Sequence, residues 1–217
     1  MTLTIDHLMW GAPDLALGVA EAQKLFGVEP APGGAHPGLG TRNALLGLGD
    51  SVYLEIIAPD PDQDLRGTLG KRLQTLDDCA LVTWAAGCGD LPALANSSAA
   101  QGLKVRGPIR AQRQTLSGDL LEWELLFLGG HEFPSLVPFF IDWLQTPHPA
   151  TQNPPAGQFL ELVLRSPQHA ELAAVLKGLD VSVRVENAAA PELEARIQVG
   201  GAVIALTSSA QTVGLSF

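Results

Sequence analysis

The sequence predicts an α+β fold of repeated βαβββ units whose mixed and antiparallel sheets form a cup around one site. Two observations support this fold class. A strand, a capped helix and a strand hairpin follow one another twice within the first 130 residues, with landmark residues at matching places. A third, similar pattern near the C-terminus predicts a further βαβββ-like unit. The predicted units span residues 1–62, 78–130 and 157–217, with a crossover segment at residues 131–150.

The first unit begins with an apolar strand at residues 5–10. A helix starts after Asp14, a good N-cap residue, and its apolar side chains recur at helical spacing until Gly27. A loop rich in Pro and Gly, with room for one short strand, follows. Two longer strands then form a hairpin, because Gly49 and Asp50 between them are typical of a tight turn.

The second unit repeats these landmarks. Its helix N-cap lies seven residues after Thr83, just as the first N-cap lies seven residues after His7. A Gly-Asp turn at residues 118–119 precedes Glu124 in the same way that the first hairpin turn precedes Glu55. Superposing the two units therefore places Thr83 at the position of His7, and Glu124 at the position of Glu55.

Composition and charge narrow the class of protein. With 217 residues and 46% hydrophobic residues, the chain can bury a substantial core. A net charge of −10 argues against binding to nucleic acid or to an anionic membrane surface, since both attract basic patches. No apolar run approaches the ~20 residues of a membrane helix, and no basic leader precedes the first strand. We therefore expect a cytoplasmic protein whose two cysteines are reduced.

The buried polar residues are the candidates for chemistry. Glu55 lies within an apolar strand, and an isolated buried charge is costly, so the carboxylate must be paired, hydrogen-bonded or bound to a metal. Glu124 poses the same problem in its own strand, and His7 lies at the centre of the first strand. If the two sheets face each other, these three side chains converge with Thr83. We predict His7, Glu55 and Glu124 as catalytic residues.

Each of these residues also has a structural alternative. His7 would then be a core histidine that bonds to a backbone carbonyl group. Glu55 would form a buried ion pair with Arg42 on the neighbouring hairpin strand. Glu124 would face solvent, because Glu122 lies two residues away in the same strand and only one face of a strand is buried.

A second group of residues is predicted to bind substrate. Arg42 and Asn43 follow a Gly-rich loop, and a guanidinium group can hold a carboxylate or phosphate by two parallel hydrogen bonds. A structural ion pair of Arg42 with Glu55 or Asp50 is nearly as well supported. The other candidates are two histidines beside prolines and an acidic residue in the apolar crossover: His36, His148 and Asp142.

Four motifs are typical of one known family. They are Ile5-Asp6-His7 at the start of the first unit, HPGLGTRN at residues 36–43, YLEI at residues 53–56 and PFFIDW at residues 138–143. Together they resemble the vicinal-oxygen-chelate superfamily (the glyoxalase, bleomycin-resistance and dioxygenase type), and within it the bacterial proteins with a glyoxalase-like domain. The resemblance covers most of residues 3–150.

This resemblance implies a metal site. In glyoxalase I the ligands come from the first and last strands of the two units, and here those positions hold His7, Glu55, Thr83 and Glu124. A histidine with two carboxylates, His7, Glu55 and Glu124, suits Zn, Mn, Fe or Ni and leaves room for a substrate that binds through two oxygens. Thr83 departs from the expected histidine, and its hydroxyl is a poor ligand for such ions.

Two functions follow from the resemblance. The first is a metal-assisted lyase, isomerase or dioxygenase that acts on a small oxygenated metabolite, neutral or anionic, without a nucleotide cofactor. The alternative, favoured by Thr83, is a metal-free protein that binds or sequesters a small molecule. The resemblance also implies either a homodimer that completes the cup or a cup completed within one chain of three units.

Overall fold

A computed structural model describes residues 3–114 and 120–215, which form two sheets and four helices. The strands are β1 (Thr4–Gly11), β2 (Ala31–His36), β3 (Thr41–Gly47), β4 (Tyr53–Pro59), β5 (Ala80–Gly87), β6 (Lys104–Gln114), β7 (Leu120–Gly129), β8 (Phe139–Asp142), β9 (Gln158–Ser166), β10 (Arg184–Asn187), β11 (Glu192–Val199) and β12 (Ala202–Thr207). The helices are α1 (Leu15–Phe26), α2 (Leu69–Leu73), α3 (Leu91–Ala100) and α4 (His169–Gly178). This composition confirms the predicted α+β class.

The larger sheet has eight strands in the order β2-β3-β4-β1-β5-β8-β7-β6. β1 and β5 lie antiparallel at its centre. Each of them has a parallel neighbour on its outer side, β4 beside β1 and β8 beside β5. The sheet therefore consists of two halves with the same strand order, each a βαβββ unit, as the internal repeat predicts.

The match between the two units differs from the predicted one at the last strand. The sequence pairs β7 with β4, because both follow a Gly-Asp turn. In the sheet, β7 lies next to the edge strand β6, the place that β3 has in the first half, and β8 is the counterpart of β4. Turn residues cannot distinguish the two hairpins of a unit, and a four-residue strand is too short to show alternation. The predicted turn at residues 118–119 lies outside the described residues.

Both predicted helix N-caps are confirmed. The Asp14 carboxylate accepts hydrogen bonds from the backbone N–H groups of Ala16 and Leu17, at 2.8 and 3.2 Å. Asp90 accepts one from Ala93 at 2.9 Å. These bonds satisfy amide groups that have no partner inside the first turn of a helix.

The alternation of side chains along the central strands separates core from site. Leu8 and Trp10 of β1, like Leu54 and Ile56 of β4, pack into the main hydrophobic core. The residues that alternate with them along the two strands, which include His7 and Glu55, point to the opposite, concave face. The apolar pattern that builds the core thus also orients the polar side chains.

The third unit forms a separate four-stranded sheet in the order β10-β9-β11-β12. Its elements follow the predicted βαβββ order, but β10 lies parallel beside β9, so the strand order differs from that of the first two units. Leu162 and Leu193 of this sheet belong to the same core cluster as Leu8 and Trp84. Within the described residues, no helix is long and apolar enough to cross a membrane.

Candidate active site

The concave face of the eight-stranded sheet encloses a cavity of about 180 Å³. Its polar lining comes mainly from the first half of the sheet: His7, His36, Asn43, Tyr53 and Glu55, joined by Arg113 from β6. The remaining walls are mostly apolar and aromatic, with Trp123, Phe127, Phe139 and Trp143 among them. A small apolar pocket with a few converging polar groups is the usual form of a ligand site.

The side chain of Arg113 reaches across the cavity from one edge strand of this sheet, β6, to the other, β2. The Arg113 side chain lies across Gly33 and Gly34 so closely that a Cβ added to Gly34 would be 2.5 Å from the Cδ atom of Arg113. The two glycines therefore permit the sheet to curl until its edges touch. The predicted cup is the result of this contact.

His7 is held from behind by its neighbour Asp6. The distance from Nδ1 of His7 to Oδ1 of Asp6 is 2.7 Å, and both side chains are almost completely buried. Burial by itself would raise the pKa of Asp6, but hydrogen bonds from His148 and His7 outweigh it and lower the pKa to about 2. Asp6 is therefore ionised, so Nδ1 of His7 carries the proton that it donates to Asp6. In the neutral ring, Nε2 keeps its lone pair.

The segment after β8 fixes Asp6 in turn. Its Oδ2 atom accepts hydrogen bonds from Nε1 of Trp143 at 3.1 Å and from Nε2 of His148 at 3.0 Å. The other ring nitrogen of His148 accepts the backbone N–H of Ala150 at 3.2 Å, which sets the tautomer. His148, predicted to bind substrate, thus lies behind Asp6 and is absent from the cavity lining.

Glu55 is held on the other side of the cavity by Asn43. The Asn43 amide donates to Oε1 of Glu55 at 2.6 Å, and its own oxygen accepts the backbone N–H of Gly34 at 2.9 Å. The second bond fixes which end of the amide faces Glu55. Oε2 of Glu55 then faces Nε2 of His7 at 3.7 Å.

This distance is too long for a direct hydrogen bond. Both atoms carry lone pairs in the neutral-histidine, ionised-carboxylate state, so they repel each other unless an electron-poor group lies between them. A proton, a hydrogen-bond donor of a ligand or a cation meets that need. The pair is therefore arranged to accept and release a proton in a buried apolar cavity.

His36 extends this group. Its Nε2 atom accepts a hydrogen bond from the Asn43 amide at 3.2 Å and lies 3.7 Å from Oε1 of Glu55, while Nδ1 donates to the Thr41 hydroxyl at 2.9 Å. Burial lowers the pKa of His36, and the negative charge of Glu55 only partly opposes this effect. The ring is therefore neutral near pH 7 and serves to position Asn43 and Glu55.

Aromatic rings enclose His7. The Tyr53 ring stacks on the imidazole with centroids 4.5 Å apart, and the Phe139 ring meets it edge-on at 5.3 Å. Burial raises the pKa of Tyr53 well above its usual value, so the phenol stays protonated. These rings keep water away from the imidazole and strengthen its electrostatic interactions.

The structure does not bring Glu124 to His7 and Glu55. Trp123, Leu125 and Phe127 of β7 line the cavity, so Glu124 points from the opposite face of the strand. Asp142 on β8 also points away from the cavity, and its carboxylate accepts a hydrogen bond from the backbone N–H of Leu144 at 2.8 Å. Arg42 also lies outside the cavity lining.

The sheet register identifies the true counterpart of Glu55. Glu55 pairs with Met9, two residues after His7, and Phe139 pairs with Ala85, two residues after Thr83. The strand positions that correspond to the ligand set implied by the resemblance are therefore His7, Glu55, Thr83 and Phe139. Two of these four side chains are ligand types.

Thr83 is engaged elsewhere, since its hydroxyl donates to the carbonyl oxygen of Ser135 at 3.3 Å. Among the described residues, no group of three or more His, Cys, Asp or Glu side chains is placed to hold a metal ion. The donor set thus falls short of the three ligands expected from the sequence.

Asp6 and Arg113 were not predicted as site residues. In a regular strand, Asp6 and His7 would point to opposite faces, but the pairing of β1 with β5 is irregular between Ile5 and His7. Arg113 reaches the cavity only because the sheet closes on itself. The one signal in the sequence was the adjacency of an acid and a histidine in an otherwise apolar strand.

Two βαβββ halves in one curled sheet, with polar groups at the centre of its concave face, define a protein of the vicinal-oxygen-chelate fold. A family model described as "Glyoxalase-like domain" matches residues 5–193. The chain therefore belongs to the family of glyoxalase-like domain proteins.

One of the similar solved structures shares this fold over nearly its whole length, and two others are similar over a smaller part of this chain. A hypothetical protein from Staphylococcus aureus superposes with a TM-score of 0.72 at 16% identity, covering 94% of this chain and 98% of that one. A variant of methylmalonyl-CoA epimerase from Streptomyces coelicolor, in complex with 2-nitronate-propionyl-CoA, gives 0.49 at 20% identity, with 68% and 99% covered. The epimerase from Mycobacterium tuberculosis gives 0.46 at 18% identity, with 69% and 91% covered. No curated protein sequence matches the chain significantly. At these identities the likeness concerns the fold alone.

Proposed function

We propose that this protein is an enzyme, an isomerase or lyase, that moves a proton at a carbon next to a carbonyl group of a small molecule. The observation that carries the proposal is the buried pair of Nε2 of His7 and Oε2 of Glu55, which face each other at 3.7 Å across the cavity. Each atom has a lone pair that is free to take a proton, and each side chain is held by a partner behind it.

In this proposal Glu55 is the base that removes the proton from the substrate, and His7 is a second base that relays it. The Asn43 bond occupies Oε1 of Glu55, which leaves Oε2 to take the proton from the substrate carbon. Asp6 holds the His7 ring through Nδ1, so the bare Nε2 takes the proton over from Glu55 and returns it to the substrate, which closes the proton balance within the pair. The apolar walls exclude water from the charged intermediate.

The metal ion implied by the resemblance stays a prediction. His7 and Glu55 are the two predicted ligands that face each other, and an ion held there would polarise a carbonyl oxygen of the substrate. The third predicted ligand, Glu124, lies on the other face of β7, and the position equivalent to Glu55 holds Phe139. The proposal therefore derives its proton transfer from side chains alone. A homodimer and a cytoplasmic location likewise stay predictions.

Hydrogen–deuterium exchange tests the proposal without knowledge of the natural substrate. The protein is incubated in D₂O with a panel of small 2-oxo and 3-oxo acids and ketones, and NMR follows the loss of the α-proton signal. We expect catalysed exchange for at least one compound class. Glu55→Gln should slow this exchange by about 10²- to 10⁴-fold, the usual contribution of general acid–base catalysis.

The matched control is Glu122→Gln, since Glu122 is a partly exposed carboxylate on β7 that pairs with Arg110. This variant should exchange at the wild-type rate. Repeating the assay after chelator treatment, and again with added Zn²⁺ or Mn²⁺, separates a metal requirement from the side-chain chemistry. Exchange that is unaffected by Glu55→Gln would contradict the proposal.

The second candidate is a protein that binds a small molecule without turnover. The mostly apolar and aromatic walls of the cavity favour it, because such walls give affinity without chemistry. Saturable binding of a compound in thermal-shift and NMR titrations, together with no exchange for any compound in the panel, would support this candidate against the enzyme.

A further inference from the structure

We propose that Arg113 is the anchor for a carboxylate group of the ligand, so that the cavity is selective for small apolar monocarboxylates. The inference rests on the proposed function in one respect, the assumption that the ligand occupies this same cavity. Arg113 is on β6 and lines the cavity opposite the first half of the sheet.

Two of the three guanidinium nitrogens of Arg113, a partly buried residue, are buried without a hydrogen-bond partner. Its Nε and Nη1 atoms are inaccessible to solvent and have no hydrogen-bond partner among the described residues. Nor does a carboxylate of the described part of the chain lie within 4.0 Å of it, in contrast to Arg165 of the third unit, which pairs with three glutamates. Unpaired buried N–H groups of a charged side chain are costly, so their retention at a cavity wall indicates a partner that arrives with the ligand.

Two glycines of β2 leave the space that the Arg113 side chain occupies. A Cβ atom added to Gly34 would lie 2.5 Å from Cδ of Arg113, and one added to Gly33 would lie 2.9 Å from Nη1. Neither glycine has a positive φ angle, so space and not backbone conformation requires the absence of a side chain. Two consecutive glycines thus make room for one arginine at the place where the sheet edges meet.

The charge of the site points to a monoanion. Burial lowers the pKa of Arg113, while the negative charge of Glu55 opposes this effect, so the two groups influence each other without contact. One carboxylate on the ligand neutralises the guanidinium group. A phosphate dianion would add a second negative charge near Glu55 in a cavity whose other walls are mostly apolar.

Asn43 connects this anchor to the proton-transfer pair. A Cβ atom added to Gly33 would contact both the Asn43 side chain and Nη1 of Arg113, so these two side chains lie on either side of Gly33. The Asn43 amide in turn donates a hydrogen bond to Glu55 at 2.6 Å. The anchor and the proton-transfer pair are therefore linked through one side chain, Asn43, and face the same cavity.

Three ligands that share a phenylpropyl group and differ in their polar end test the anchor. Binding of 4-phenylbutanoate, its neutral amide and 3-phenylpropyl phosphate is measured by isothermal titration calorimetry or by NMR titration. The wild-type protein should bind the acid at least about tenfold more tightly than the amide. Arg113→Met should reduce acid binding to the level of the amide and leave amide binding unchanged. Arg110→Met, on an exposed arginine of the same strand, should change neither.

Arg113→Lys provides a second variant in case the Met variant does not fold. It keeps the charge but loses the guanidinium group, so acid binding should weaken severalfold while thermal unfolding stays cooperative. The proposal is overturned if the wild-type protein does not prefer the acid to the amide, if it prefers the phosphate, or if the preference for the acid is undiminished in the foldable Arg113 variants.

The result is independent of the exchange assay. Glu55→Gln should keep the preference for the acid, because it does not touch the anchor. Loss of acid preference in Arg113→Met, without any catalysed exchange in the wild type, would support the anchor and reject the enzyme. Catalysed exchange that depends on Glu55, with no preference for the acid, would support the enzyme and reject the anchor.

Discussion

Replacement of Asp6 by asparagine tests the arrangement that supports His7. The Asp6 carboxylate accepts three hydrogen bonds, from His7 at 2.7 Å, His148 at 3.0 Å and Trp143 at 3.1 Å. An asparagine has one oxygen to accept these bonds, and its amide group meets an N–H donor at the other position. At least one buried donor is therefore left without an acceptor in Asp6→Asn.

The pKa of Asp6 gives the size of the effect and its dependence on pH. At about 1.4 kcal/mol for each pH unit, a pKa lowered from 3.8 to about 2 corresponds to about 2 kcal/mol of stability. Because the pKa is lower in the folded state, this contribution is fully present above pH 4 and is lost as the pH falls towards 2. We therefore expect Asp6→Asn to cost about 2 kcal/mol more at pH 7 than at pH 2.

The assay is urea unfolding of both proteins between pH 7 and pH 2, with the difference in the free energy of unfolding plotted against pH. Asp50→Asn is the control, since Asp50 lies exposed in the first hairpin turn and should give a small difference. A cost of Asp6→Asn that stays constant through this pH range would refute the reasoning, because it would mean that the charge of Asp6 is not used in the folded state. The same variant should also slow exchange, since the tautomer of His7 is no longer fixed.

Two further predictions concern the site. Asn43→Ala removes both the donor to Glu55 and the acceptor for the backbone N–H of Gly34. It should therefore lower the free energy of unfolding in urea by about 1–3 kcal/mol and slow hydrogen–deuterium exchange of the substrate by about tenfold or more. Unchanged exchange would show that Glu55 does not need this support. Thr83→His combined with Phe139→Glu places ligand types at all four equivalent positions, and should bind one Ni²⁺ or Zn²⁺ more tightly than the wild type in calorimetry. Thr83→His alone, which relies on the native Glu124, should not gain this binding, and an equal gain in both variants would contradict the counterpart role of Phe139.

Local features of the sequence were sufficient for most of the secondary structure. The N-caps Asp14 and Asp90 and the Gly-Asp turn of the first hairpin depend on residues that are close in the chain, so the order of helices and strands could be predicted. The last strand of the second unit, β8, could not. It has four residues, and its pairing with β5 depends on contacts more than fifty residues apart.

The residues of the candidate site were also predicted only in part. His7 and Glu55 were predicted from their place in strands, Asn43 because it follows a Gly-rich loop, and His36 because it lies beside a proline in that loop. The structure gathers all four at one cavity. Glu124 was aligned with Glu55 through the wrong hairpin, which moved it to the opposite face of the sheet, since neighbouring positions of a strand face opposite sides.

The sequence by itself determined that this protein has repeated βαβββ units with a buried histidine and a buried carboxylate in the first of them. These features follow from apolar periodicity, capping residues and turns, which act over a few residues. The tertiary structure alone decided which groups surround that pair. The irregular pairing at Asp6, the short strand that carries Phe139 and the contact of Arg113 with Gly33 and Gly34 all arise when distant strands meet and the sheet curls. A pattern that spans a few residues carries no information about contacts between residues that are distant in the chain.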